Sequence, residues 1–412
     1  MPSEPVLYVW AFLHGRAEPV VVGRLDEAGG LVSFTYARSY LERPEAFALY
    51  GVPLRTGPHG PPAGTTVHGC FTDAGPDAWG QRVVLHRLTG KVGRDLGTAE
   101  VPLFTYLLGS ASDRAGALDF QTSSTTYEPR DSKATLSEMV GAVDLLLGGE
   151  AIPASLEAAL FHGTTMGGAR PKVTLVDGGL SLIAKLATSD DPYPVVKAEG
   201  AAMTLASMAG IDVPKVEVTR CAGKDVLLVE RFDRAAAGDR LMFVSALTVL
   251  GLPEEAGRYA TYYDFADRLR AEAAEPAATL RELFSRIVFN ILVSNTDDHA
   301  RNHAAFWDGN QLRLTPAYDI TPAMRLGGEQ QQAMAIARDG WRFSQLAGCV
   351  RAARDYLLHE AEARAIIDAQ LGAVRTHWDD AADAARLTKA ERRQLWGRQI
   401  LNPYCLEGYR AA

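Results

Sequence analysis

Asn295-Thr-Asp-Asp-His-Ala-Arg-Asn302 is the stretch whose surroundings decide how this chain folds. Just before it, Leu280, Leu283, Ile287, Val288, Ile291 and Leu292 recur at i, i+3, i+7, i+8, i+11 and i+12, the apolar stripe of a well-buried helix. The stripe stops at Asn295-Thr296, and Asp297, Asp298, His299, Arg301 and Asn302 follow at once. Next come His303-Ala-Ala-Phe-Trp307, the turn Asp308-Gly309, and Gln311-Leu-Arg-Leu-Thr315. Asp-Gly between two apolar stretches predicts a hairpin, and a hairpin brings its ends together, here Asn302 and Tyr318-Asp319.

Asp297, Asn302 and Asp319 are therefore expected to converge, and phosphoryl transfer needs such a set. One carboxylate orients the attacking hydroxyl and accepts its proton, while an amide oxygen and a second carboxylate hold the magnesium that bridges the phosphates. The spacing Asp297-x-x-x-x-Asn302 equals that of the protein-kinase catalytic loop. Taken singly, each residue also fits a solvated, capped helix end, where Asp and Asn are common for backbone reasons. The joint pattern carries the chemical reading. His303 receives no role in it.

A phosphate-binding half is sought upstream. His162-Gly-Thr-Thr-Met-Gly-Gly-Ala-Arg-Pro-Lys172 is small and Gly-rich, so its backbone N–H groups can approach phosphate oxygens closely, although the Walker pattern GxxxxGK[ST] is absent. Val173-Thr-Leu-Val176 and Leu180-Ser-Leu-Ile-Ala-Lys185 flank Asp177-Gly-Gly179, a second hairpin. Pairing outward from that turn sets Lys185 opposite Arg170 or Pro171, within reach of the Gly-rich loop. A solvated strand-end lysine is the alternative. Glu199, at the start of an apolar-spaced helix, is a candidate partner for Lys185 or else a first-turn Glu favoured by the helix dipole. Val226-Leu-Leu-Val-Glu-Arg-Phe232 reads equally as a hinge that binds adenine through its backbone and as a plain buried strand.

The remainder bounds these readings. With 412 residues the chain is too long for one compact core. Four widely spaced cysteines, with no CxxC pair, argue against a disulfide framework or zinc site and fit a reducing, cytoplasmic compartment. No apolar run reaches the ~18 residues that cross a bilayer, so no membrane partner is expected. Met1 to Leu13 carries Glu4 and no basic residue before its apolar run, and reads as a strand rather than a signal peptide. A net charge of -8 argues against binding nucleic acid along the whole chain by charge alone. Val6 to Leu13, Val20 to Leu25 and Leu31 to Tyr36 are expected strands, with a turn at Glu27-Ala-Gly-Gly30. Pro76-Asp-Ala-Trp-Gly80 opens a helical segment, and residues 121 to 133 read as a linker or exposed loop. From Leu160 to Phe232 the order is strand, strand, helix, strand, strand, and from about Ser245 it is almost entirely helical. The expectation is an α+β, two-lobed protein-kinase-like fold with three parts: an N-terminal β-rich module (1–120), a β-rich N-terminal lobe with the Gly-rich loop (134–233), and a mainly helical C-terminal lobe with the catalytic loop (234–412).

Met166-Gly-Gly-Ala-Arg-Pro-Lys172, Ile183-Ala-Lys185, Val229-Glu-Arg-Phe-Asp-Arg234, Asn295 to Asn302, Pro316-Ala-Tyr-Asp-Ile320 and Pro76-Asp-Ala-Trp-Gly80 together resemble the HipA family of toxin kinases. The resemblance implies ATP, Mg2+ and transfer of the γ-phosphate to a serine or threonine hydroxyl of a protein. It makes Asp297 the catalytic base and Asn302 and Asp319 the metal ligands. Gly167, Gly168, Ala169, Arg170, Pro171, Lys172, Lys185, Glu230, Arg231 and Phe232 would bind ATP, with His299, Arg301, Asn302 and Tyr318 lining the site. It also implies a HipB-like DNA-binding antitoxin, operator DNA reached through that antitoxin, and a protein substrate that in well-known members is an aminoacyl-tRNA synthetase. Members autophosphorylate a Ser in the Gly-rich loop, which ejects the loop; the matching position is Thr165, beside Thr164. Two other classes remain at this point. One is a binding subunit of a repressor complex, whose basic stretch Arg82, His86, Arg87, Lys91 and Arg94 touches DNA; retention of Lys185, Asp297, Asn302 and Asp319 argues against it. The other is a metal-dependent hydrolase using Asp297, Asp298 and His299, which leaves the Gly-rich loop unexplained.

Overall fold

The computed structural model describes the chain except residues 1–5, 17, 91–100, 132–133, 166–167, 236–238, 326 and 412. Strands β1 (Val6–Ala11), β2 (Val20–Ala28), β3 (Leu31–Tyr36), β4 (Pro58–His59) and β5 (Leu118–Gln121) form an antiparallel sheet in the order β4-β3-β2-β1-β5. Val32, Phe34 and Tyr36 alternate inward along β3, as a half-buried strand requires. Gly29 and Gly30 make the β2–β3 turn with φ of 60° and 77°, a conformation that glycine adopts at little steric cost. β1 stops two residues earlier than its apolar run suggests, and β2 continues three residues further, because pairing runs right up to that turn.

The polar stretch 121–133 is not a free linker. Gln121 belongs to β5, Tyr127 packs on Trp10 and Phe12, and Arg130 exchanges bonds with Ser112. Its polar groups serve Asp119, a fully buried carboxylate on β5. Asp119 accepts from Arg114 Nε (2.6 Å), Ser112 Oγ (2.7 Å), Arg130 Nη2 (2.8 Å), Tyr127 OH (3.0 Å) and Gln121 Nε2 (3.1 Å). Ser132 and Lys133 lie outside the described residues.

The second sheet, in the order β6-β7-β9-β8, holds β6 (Lys172–Asp177), β7 (Leu180–Leu186), β8 (Val216–Cys221) and β9 (Lys224–Glu230), with the helix Val195–Met208 between β7 and β8. This is the strand, strand, helix, strand, strand order read from the sequence. The β6–β7 turn is the two-residue pair Gly178-Gly179, so Asp177 itself pairs with Leu180 and the register puts Lys185 opposite Lys172, not Arg170 or Pro171. A third sheet, β10-β11-β12, contains the predicted Asp308-Gly309 hairpin as β11 (Ala304–Trp307) and β12 (Leu312–Leu314). Its outer strand, β10 (Phe243–Ser245), carries no sequence signal of its own.

The helix Pro276–Leu292 begins with proline at its first turn, where no N–H bond is lost, and buries Leu280, Leu283, Ile287, Val288, Ile291 and Leu292. It packs against the long helix Glu360–Ala384, which also covers Val195–Met208. The C-terminal part departs from the mainly helical expectation at 315–345. The described residues there form no helix or strand and are held by loop hydrogen bonds such as Ala333 N–H to Thr296 O (3.0 Å). One hydrophobic core runs from the first sheet through the Val195–Met208 helix to the C-terminal helices. A second gathers Val173, Ala184, Val226 and the helices Leu136–Gly148 and Ala154–Phe161 around Trp79 and Val83 of the helix Ala78–Thr89. Among the described residues no helix is long and apolar enough to cross a membrane.

Burial alone would raise the Asp119 carboxyl; Arg114 and Arg130 reverse this and hold it below its usual range. Its contribution to stability is therefore complete above the unfolded value of about 3.9 and is lost as pH falls below that. Asp119→Ala leaves the buried Arg114 guanidinium uncompensated and should cost about 3–5 kcal/mol in urea unfolding. Glu360→Ala, which breaks the exposed i,i+4 pair with Arg364, should change stability far less. Equal losses in the two variants would refute the assignment of Asp119 as a structural anchor.

Candidate active site

The buried helix Pro276–Leu292 delivers the stretch Asn295 to Asn302 at a fixed point. Ser294 takes a left-handed φ of 53°, turning the chain, and Asn295 N–H returns to Asn290 O (2.8 Å). Adjacent aspartates then face opposite ways. Asp298 is buried, and its Oδ2 meets Asn290 Nδ2 (2.7 Å), His303 Nε2 (2.7 Å) and the Tyr262 hydroxyl. Asp297 is exposed at the mouth of the cleft. Partial desolvation raises its carboxyl, the His299 side chain opposes this, and the negative charges of Asp319 and Asp298 add to the rise. The inward turn of Asp298 removes it from the hydrolase reading, and among the described residues no group of three His, Cys, Asp or Glu side chains gathers to hold a metal.

His299 N–H and Asn302 Nδ2 both donate to Asp297 O, at 2.9 and 3.2 Å, which closes this turn on itself. The hairpin returns the chain as expected: Tyr318 OH donates to Arg301 O (2.7 Å), and Asp319 follows with a φ of 60°, a conformation that Asp tolerates better than most residues. Arg301 itself pairs with Glu254 rather than turning to Asp297.

Lys185, carried inward on β7, donates to both Glu199 and Asp319. Glu199 lies a full turn inside its helix, not at its start, and is buried. Burial works against the charge on Lys185, but Asp319 and Glu199 outweigh it and hold the ammonium well above its usual value. Burial likewise would raise Asp319; Lys185 and then Lys172 reverse this and hold it far below the ordinary carboxylate range. Lys172 is buried, and its pKa is lowered first by desolvation and then by Lys185, while Asp319, Asp77 and Glu199 oppose the shift. Asp77, Lys172, Asp319, Lys185 and Glu199 thus line one wall with alternating charge.

The Gly-rich stretch reaches this wall at Gly168, whose φ is 105° and where an added Cβ would strike the Lys172 ammonium. Arg170 turns away into a bidentate pair with Asp191 (2.8 and 3.0 Å), and Pro171 O accepts Leu186 N–H (3.1 Å), so these two frame the loop rather than face the cleft. Gly167 lies outside the described residues. Thr164 and Thr165 are buried: Thr164 Oγ donates to Phe161 O (2.7 Å) and accepts Ala111 N–H (2.9 Å), and Thr165 Oγ is buried without a hydrogen bond. At the lobe junction, Glu230 N–H and Arg231 N–H are already given to Lys215 O and Ser181 O (both 2.9 Å). The Arg231 side chain is buried against Asp233, Asp113 and the Arg114 carbonyl, which ties the junction to the first part of the chain rather than to a nucleotide. Phe232 instead presents its ring 5.5 Å from that of Tyr318, an aromatic pair suited to the edge of a base.

Sequence reasoning missed two groups. His303 completes the buried Asp298 network, and the signal was Asn290, a polar residue inside an apolar stripe. Asp77 reaches the cleft from the first part of the chain. Of the basic stretch, Arg82 is half-buried, His86 is buried, Arg87 is exposed with its guanidinium over the Phe161 ring (4.2 Å), and Lys91 and Arg94 lie outside the described residues.

Comparison with known proteins bears on the same residues. A family model described as the HipA-like C-terminal domain matches residues 164–378, and one described as the HipA N-terminal domain matches 16–121. A protein of Sinorhizobium fredii named "Putative kinase Y4mE" is 30% identical over 292 residues, 61% of this chain and 68% of that protein. The serine/threonine-protein kinase toxin HipA of Shewanella oneidensis is 29% identical over 154 residues, 32% of this chain and 36% of that one. In three dimensions, a chain from the solved complex of HipA, HipB and operator DNA of Shewanella oneidensis MR-1 superposes with a TM-score of 0.69 at 19% identity, over 95% of this chain and 96% of that chain, which establishes the two-lobed α+β fold. Because the C-terminal model alone covers more than half of the sequence and takes in every residue from Lys185 to Asp319, the chain belongs to the HipA family.

Proposed function

We propose that the chain is an ATP-dependent serine/threonine protein kinase of the toxin type, restrained by a DNA-binding antitoxin. The observation that carries this reading is Lys185, held between Glu199 and Asp319 with Asp297 exposed across the same cleft. Asp319 offers a hard carboxylate oxygen next to two buried lysines, and Asn302 an amide oxygen in the Asp297 turn, donors of the kind that suit a magnesium–phosphate group. Bound there, Mg2+ would neutralise charge that develops on the transferred phosphoryl group. Lys185 and Lys172 bind and orient the phosphate oxygens, and Gly168 lets the backbone come close. Phe232 and Tyr318 flank the base. Asp297 orients the acceptor hydroxyl and takes its proton, and its raised carboxyl value strengthens it as a base. Phosphorylation of Thr165 requires that residue to leave its buried position first. The acceptor is a cellular protein hydroxyl, with an aminoacyl-tRNA synthetase as the candidate that the family resemblance suggests. Labelled ATP added to a bacterial lysate, followed by identification of the labelled protein, tests the assignment.

Asp297→Asn keeps the shape of the side chain but loses the proton acceptor. Turnover should fall by about 10²–10⁴-fold with MgATP binding retained. Near-wild-type turnover would remove Asp297 from the mechanism. Asp298→Asn disturbs three buried partners and should instead lower stability, by about 1–3 kcal/mol, whereas Asp297→Asn stays within about 0.5 kcal/mol of wild type. Urea melts of the two variants separate the roles of the neighbouring aspartates.

Calorimetry should find ATP bound more tightly with magnesium than without, and Asp319→Ala should abolish the difference. In cells, the same substitution should relieve the growth arrest caused by expressing the wild type alone. Equal ATP affinity with and without magnesium in the wild type would count against Asn302 and Asp319 as ligands.

A further inference from the structure

Asp77 is the N-cap residue of the helix Ala78–Thr89. An aspartate in that position ordinarily accepts an N–H from its own first turn. Asp77 makes no such bond; its Oδ2 instead accepts the N–H of Gly168, 91 residues away. Trp79 N–H donates back to Gly168 O (3.1 Å), and Trp79 Nε1–H donates to Lys172 O (2.9 Å). Three hydrogen bonds from the first part of the chain thus bracket the stretch 168–172 at both ends. The anchor is firm, because Trp79 is fully buried in the second core beside Leu160, Val173 and Ala184. Gly80 extends the contact: a Cβ there would lie 2.8 Å from Thr164 O, so the helix start and the loop meet backbone to backbone. The other carboxylate oxygen, Asp77 Oδ1, is buried without a hydrogen bond, and the charge of Lys172 opposes its desolvation.

We propose that Asp77 and Trp79 are positioning residues for nucleotide binding: they hold the Gly-rich stretch at Gly168 and Lys172 in the place where it meets the ATP phosphates. The proposal rests on the reading of this cleft as the nucleotide site. A glycine-rich segment loses more conformational freedom on ordering than any other, and a nucleotide that had to order it would bind more weakly. The clasp supplies that order in advance. It also sets the Asp77 carboxylate close enough to Lys172 for the two side chains to interact. The first part of the chain is on this account a component of the phosphate site.

The test is calorimetry on the full chain with two probes, MgATP and adenosine. Asp77→Ala should weaken MgATP about tenfold, the scale of one lost anchoring hydrogen bond, and leave adenosine affinity unchanged. Asp77→Asn keeps a side-chain oxygen for Gly168 N–H and should recover most of the loss. Trp79→Phe keeps the ring in the core, removes only the bond to Lys172 O, and should weaken MgATP several-fold with adenosine unaffected; it carries the test if Asp77→Ala fails to fold. Parallel loss of both probes would mark a general structural defect and overturn the positioning role. Unchanged or tighter MgATP binding in Asp77→Ala and Trp79→Phe would overturn it too, with the carboxylate then a competitor of phosphate or a bystander. Failure of the wild type to bind MgATP would bring down the nucleotide-site reading itself, a result distinct from any change among the variants.

Discussion

The Lys185 ammonium between Glu199 and Asp319 is the constraint around which the molecule is arranged. It joins a strand of the second sheet, the helix behind that sheet, and the irregular segment that follows the third sheet. Two carboxylates on one buried lysine satisfy the cation in a setting where an unpaired charge would be costly. The arrangement leaves a net negative charge, which Lys172 offsets from the other side. Each element near the cleft is held in the position that keeps these groups in line.

A second, quieter network fixes the stretch Asn295 to Asn302. Asp298 gathers Asn290, Tyr262 and His303, which come from two helices and the start of the hairpin, and so locks the backbone from which Asp297 projects. Burial raises the Tyr262 hydroxyl far above its usual value, and Asp298 adds to this, so the phenol stays a donor at any physiological pH. Two neighbours with the same side chain thus do different work because one points inward and the other outward.

Much of this was legible in the sequence where a period or a turn left a mark. The stripe from Leu280 to Leu292 gave the buried helix, and Asp177-Gly-Gly179 and Asp308-Gly309 gave the hairpins; the first hairpin carried Lys185 towards the Gly-rich loop and the second brought Asp297, Asn302 and Asp319 together, while only the family resemblance joined the two sets. The remainder depended on distance in the chain. A register one or two residues off moved the partner of Lys185 from Pro171 to Lys172, because the turn proved to be only Gly178-Gly179. Which of Asp297 and Asp298 faces the cleft is decided by Tyr262 and Asn290, and no local pattern encodes that. The polar run 121–133 looked like a linker because composition does not reveal that a buried carboxylate awaits its side chains. Arg231 looked free for a ligand for the same reason: its partners, Asp113 and Arg114, lie more than 100 residues earlier.

The long helix Glu360–Ala384 covers the helix that carries Glu199, and Lys197 on that helix pairs with Glu391 (2.6 Å). Synthesis on the ribosome runs the other way, so Glu199 and Lys185 leave the exit tunnel long before the surface that will support them exists. A nascent chain that already contains Asp297 and Asp319 still has the Val195–Met208 helix open to water on one side. Completion of the cleft is therefore tied to translation of the Glu360–Ala384 helix, and a chain cut short between Asp319 and Glu360 has its chemical groups present and their scaffold missing.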